Sequence, residues 1–148
     1  MHLVPVEAVL PGALVAFLVG CGSSGGGSGD DEVRLFNMRA AKSANPALQF
    51  QCELDGFVEA YIWTVEYEGD VRVGDRGFER FTFLPSGQTN VTDEPLTAAG
   101  AGSGIGPNEI GDTGCYTAVT DTRIEIEFYL VTQDGVRSNT VSDTFNAF

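Results

Sequence analysis

The stretch IEIEFYLVTQDGVRSNTVSDTF, Ile124 to Phe145, decides how the rest of the chain is read. Ile124, Ile126, Phe128 and Leu130 alternate with Glu125, Glu127 and Tyr129, a period of two that suits a half-buried strand and no helix. Gln133-Asp134-Gly135 follows as a hairpin turn, so Val136 to Phe145 is expected to return beside the first strand.

The same alternation recurs upstream. Phe81 and Phe83 mark a strand that ends at Pro85-Ser86-Gly87. Tyr61, Trp63, Val65 and Tyr67 point one way while Thr64 and Glu66 point the other, and Glu68-Gly69-Asp70 closes that strand. Leu48, Phe50, Cys52 and Leu54, separated by Gln49, Gln51 and Glu53, read as a further strand closed by Asp55-Gly56. With Val33 to Ala40 and a short strand near Tyr116 to Val119, the sequence predicts about seven short strands, which argues an all-β antiparallel sandwich over residues 33–148. Trp63 is expected in its core, and no stretch shows helical periodicity.

Composition narrows the function. The chain has 148 residues and a formal charge of −13, an excess of carboxylates that repels phosphate backbones, so a nucleic-acid partner is not expected. His2 is the sole histidine. No Gly-x-Ser-x-Gly, His-Glu-x-x-His or EF-hand spacing occurs, which removes the common hydrolase and metal signatures. Gly100 to Gly106 is glycine-rich but lacks the Lys-Ser/Thr of a phosphate loop.

Near the N-terminus, Ala8 to Gly20 is a run of 13 apolar or small residues, shorter than the roughly 20 that span a bilayer. It ends in Leu18-Val19-Gly20-Cys21, which resembles a bacterial lipoprotein signal, although Met1 to Glu7 carries no Lys or Arg. The resemblance implies that residues 1–20 are a signal peptide and that Cys21 is acylated and becomes the new N-terminus. It also implies a membrane partner through the lipid anchor. Gly22 in the next position favours the outer membrane, with the domain facing the periplasm or the cell surface. Residues 21–32 then form a tether: GSSGGGSG, Gly22 to Gly29, is flexible coil with a reach of roughly 15–17 Å. With Cys21 used as the anchor, Cys52 and Cys115 remain as an even pair in an oxidising compartment, and a disulfide between them is the expectation.

The order Cys52, Trp63, Cys115 resembles immunoglobulin-like sandwiches, and Phe128 to Phe145 looks like the last hairpin of fibronectin type III and PKD-type modules. Asp112-Thr113-Gly114-Cys115-Tyr116 also matches a tyrosine corner, with Ala118 where the family has its second cysteine. If that corner forms, Cys115 faces away from the core and cannot bridge to an inward Cys52. Alternatively Cys115 opens a strand beside the Cys52 strand, which the break at Thr120-Asp121-Thr122 favours.

Thr89 to Gly114 reads as one long loop, of the kind that is usually functional. Asp93, Glu94, Glu109 and Asp112 are its candidate ligands for calcium. The expected function is a lipid-anchored, non-catalytic binding or scaffolding module with a protein or glycan partner. The alternatives are a carbohydrate- or calcium-binding surface module, and a hydrolase working through a carboxylate pair.

Overall fold

The computed structural model describes residues 2–3, 32–100 and 104–148. The Leu18 to Cys21 motif and the Gly-Ser tract behind it lie outside the described residues. Among the described residues the strands are β1 (His2–Leu3), β2 (Arg34–Lys42), β3 (Glu59–Glu68), β4 (Arg76–Leu84), β5 (Thr89–Pro95), β6 (Gly104–Ile105), β7 (Glu109–Tyr116), β8 (Arg123–Val131) and β9 (Val141–Asn146), with one helix, α1 (Pro46–Leu54), between β2 and β3.

One sheet has the order β1-β7-β3-β2 with β6 added to β7, and the other has the order β5-β4-β8-β9. Leaving aside the two-residue β1 and β6, seven strands form an immunoglobulin-like all-β sandwich, as the alternation predicts. The first, second and fifth of them share one sheet, and the third, fourth, sixth and seventh share the other. The β8–β9 hairpin pairs Ile124 with Phe145 and Phe128 with Val141. β1 runs parallel to β7, with His2 opposite Gly114 and Leu3 opposite Cys115. It lies in the segment that the lipoprotein reading removes, so a chain beginning at Cys21 would lack it.

The inward sides of the strands carry the expected apolar residues. Trp63, Tyr61, Val65, Phe81, Ile124, Ile126, Phe128 and Leu130 are buried in one cluster. Trp63 packs on Phe128 across the sandwich with ring centroids 4.7 Å apart. The sheets lean together where β2 meets the β8–β9 side. Asn139 joins Leu35 there through both its amide oxygen (2.7 Å) and its amide nitrogen (2.9 Å), and Ala40 N donates to Asp143 Oδ2 at 2.8 Å. On the opposite side β5 and β7 stay unpaired, and the segment after Pro95 crosses between them, with Ile105 N donating to the Thr97 carbonyl at 2.9 Å.

Three expectations need correction. Leu48 to Leu54 is helix and not strand. Asn45 caps it, its side chain accepting from Ala47 N at 3.0 Å, Pro46 stands at the first turn, and Leu48 and Cys52, four apart, form the buried side. The alternation was only superficial, because Phe50 and Leu54 point to solvent. The Thr89 to Gly114 stretch is no single loop, since it holds β5, β6 and most of β7. Tyr116 ends β7 and does not open a strand to Val119.

The helix also resolves the geometry of the cysteines. Cys115, opposite Ala60, is on the outer face of its sheet, while its neighbour Tyr116 turns inward and donates to the Ala147 carbonyl at 2.8 Å. Cys52 reaches that outer face from α1, and the two form a disulfide with Cα atoms 5.4 Å apart. The bridge therefore joins a helix to the back of a sheet, and it does not cross the sandwich. The tyrosine-corner reading places Cys115 away from the core, as observed, but both readings assume a strand at Cys52, so neither has the bridge to a helix. Leu48, Cys52, Ala60 and Cys115 make a second small core, supported by Phe57. Gln49 ties the helix to β3, donating to the Val58 carbonyl and accepting from Ala60 N.

Replacing Cys52 and Cys115 together by alanine is expected to lower stability by about 2–4 kcal/mol. Amide exchange should accelerate first at Pro46–Leu54, with the sandwich strands following only at higher denaturant. Uniform exchange across helix and strands would contradict a clamp local to α1.

Candidate functional site: a carboxyl-lined cleft at the open side of the sandwich

The open side between β5 and β7 holds a cleft lined by Trp63, Glu79, Thr92, Glu94, Thr97 and Asp112 among its polar groups. Strand parity puts them there. Asp112 is paired in register with Trp63, so both face inward from β7 and β3. Glu79 shares the parity of Phe81 and Phe83 on β4, so it faces inward from the other sheet. Thr92, the register partner of Glu79, and Glu94, the partner of Gly77, add the β5 wall.

Two glycines shape this site. A Cβ at Gly77 would lie 2.9 Å from Phe128 Cε2, so glycine is what lets that ring lie under Trp63. Gly104 has φ +102° and would bring a Cβ within 2.7 Å of the Thr97 and Ala98 carbonyls. The space open to the centre of a water molecule is about 30 Å³, enough for one or two waters and too small for a substrate ring.

The electrostatics of the cleft are unusual for an interior. Asp112 is buried and its Oδ1 accepts from Thr113 N at 2.8 Å. Glu79 is half-buried as a residue, yet its Oε2 is sealed from solvent. Burial pushes the Glu79 carboxyl well above its ordinary range; the Asp112 charge and a hydrogen bond to Asp112 add to this, Glu94 adds a smaller push, and only the Trp63 N–H opposes it. Its charged neighbours are thus all acidic. Glu79 consequently keeps its proton at a pH where an exposed glutamate has lost it, and a protonated carboxyl can donate towards Asp112. Tyr61, almost fully buried, is pushed upward by desolvation and then by Glu79, Asp112 and Glu94.

The four residues expected around calcium do not gather. Glu94 and Asp112 line the cleft, but Asp93 points outward to Arg76, with Oδ2 2.5 Å from Nε, and Glu109 stands exposed opposite Glu66. Among the described residues no three histidine, cysteine or acidic side chains converge to hold a metal ion. Glu79 was missed, although the parity of Phe81 and Phe83 already assigned it to the inner side. Cys21 lies outside the described residues, and Cys52 and Cys115 are bridged.

Because the folded pKa of Glu79 is raised, its contribution to stability is fully present below the unfolded value near 4.5 and is lost as pH rises through the folded value. Between those two values stability should fall by about 1.4 kcal/mol per pH unit from this group alone. Glu79→Gln should remove that slope, leaving melting temperatures close to the parent's at pH 4 and above them at pH 8. Parallel melting curves for parent and variant across this range would show that Glu79 titrates normally. No family model and no curated protein sequence matches this chain, so the reading of the site rests on its own residues.

Proposed function

We propose that this protein is a lipid-anchored extracytoplasmic binding module without catalytic activity. Its anchor is Cys21, and residues 21–32 form the tether that carries the sandwich. The observation that supports binding over catalysis is how the concavities and the acids are distributed. The acid pair, Glu79 and Asp112, occupies a cleft with room only for water. A groove large enough for a ligand, about 360 Å³, lies on the outer face of the β5-β4-β8-β9 sheet. It is lined by Phe78, Tyr129, Arg80, Arg137, Val91, Glu127 and Thr140; Glu79 also borders it, but strand parity turns the Glu79 carboxyl to the inner side of β4, so it does not stand opposite Glu127 as the acid/base partner that hydrolysis of a glycoside needs.

The Cys52–Cys115 disulfide supports an oxidising compartment, as export would require. Lipidation of Cys21 supplies two or more acyl chains and hence stable membrane attachment, which a single chain does not give.

Expressed with its full leader, the protein should partition into the detergent phase and incorporate an alkyne-labelled fatty acid. Cys21→Ala should abolish the label and move the protein to the aqueous phase, while Cys52→Ala should keep the label. Retention of the label in Cys21→Ala would refute the anchor.

A further inference from the structure

We propose that the groove on the outer face of the β5-β4-β8-β9 sheet is a saccharide-binding site. The inference rests on the binding-module reading above and gives it a ligand class. One wall is aromatic: Phe78 and Tyr129, register partners on β4 and β8, stack with planes 4° apart and centroids 4.7 Å apart. Arg137 extends this row, with its guanidinium carbon 4.0 Å from the centre of the Tyr129 ring. The facing wall is polar, formed by the pair Arg80 and Glu127 with Nε and Oε2 3.2 Å apart, and Thr140 also lines the groove.

Three features of this arrangement select a saccharide. First, the groove crosses β4 and β8, central strands of the sheet, and β4 is paired on both sides through Phe78 and Arg80. The β4 backbone groups are already used, so an extended peptide lying over the middle of the groove would find no strand edge there; only at Val91 does the lining reach the edge strand β5. Recognition must come from side chains. Second, the side chains are of two kinds: the stacked Phe78 and Tyr129 rings, whose edges give an apolar surface for the C–H groups of a pyranose, and planar guanidinium and carboxylate groups whose fixed donors and acceptors match hydroxyls. Third, Arg137 forms no ion pair among the described residues, in a chain whose net charge is −13. Its side chain is exposed, and stacking on Tyr129 holds its N–H groups free to donate.

Calorimetry on the mature, detergent-solubilised protein would use three soluble hexasaccharides: a neutral β-glucan, an N-acetylhexosamine oligomer and a uronate. At least one should bind. Its affinity should fall on the order of tenfold or more in Tyr129→Ala and in Arg137→Gln, the exposed position least able to disturb folding, and should be unchanged in Glu109→Gln on the other sheet. Failure of all three to bind, affinity equal to the parent's in both groove variants, or tighter binding of a proline-rich decapeptide would each overturn the assignment. Phase partition of the same preparation reports the anchor separately. Release of reducing ends from a bound saccharide would overturn the non-catalytic reading while leaving the groove in place.

Discussion

The contact of Trp63 with Phe128 is the constraint around which the sandwich is arranged. It joins β3 and β8, each of which is paired on both sides, so it fixes the separation of the two sheets. The ring of Phe128 needs the space left by Gly77, which Leu96 also borders, and Ile110 and Leu96 line the cleft beside the contact. The sandwich closes on one side. It closes where Asn139 and Asp143 reach β2, and the side between β5 and β7 stays open enough for Glu79 and Asp112 to approach each other.

The acidity of the chain is partly architectural. Asp75 is buried and accepts from Arg72 N and Gln133 N, joining the β3–β4 turn to the β8–β9 turn. Asp121 is buried too and accepts from Ser86 N and the Ser86 hydroxyl, fixing the β4–β5 turn. Both carboxylates take backbone N–H groups that would otherwise be stranded, which is the situation in which a buried charge is tolerated. Glu79 differs because acids face it and, among the described residues, no backbone N–H compensates its charge, so the proton does. A position kept at such a cost is the exception in this fold, and the two classes of buried acid can be told apart only from the partners they meet.

The sequence made the strands legible where one face is buried and the other wet. In β3 and β8 the alternation of Tyr61, Trp63 and Val65, and of Ile124, Ile126 and Phe128, reports burial directly. It failed at Leu48 to Leu54 because a helix covering the back of a sheet buries only a narrow stripe. Two of the four apolar residues, Phe50 and Leu54, are exposed, and they supplied the false period; the Asn45-Pro46 start was the better signal. β5 was hidden for a related reason: it is an edge strand whose polar Thr, Asn and Asp side chains read as loop, while its backbone pairs with β4 from Thr89 to Pro95. The cleft was half legible, since Glu94 and Asp112 were selected as acids but grouped with Asp93 and Glu109, whose side chains leave on other faces. Proximity in sequence had stood in for parity.

The disulfide and the open side belong to one mechanical argument. α1 packs on the back of β3 and β7, the two strands that carry Trp63 and Asp112 on their inner faces. Ala60 and Cys115 form the contact surface behind, and both are fully buried. Beyond β3, β7 is paired only by the two-residue β6 and β1, so much of its outer edge carries no strand. Clamping α1 to Cys115 backs this strand from behind near its C-terminal end, three residues from Asp112. A strand braced in this way can hold a carboxylate against a second acid without fraying, which an unbraced edge strand facing like charge would tend to do. The bridge, outside the sandwich and not across it, thus backs the strand that carries Asp112 at the open side.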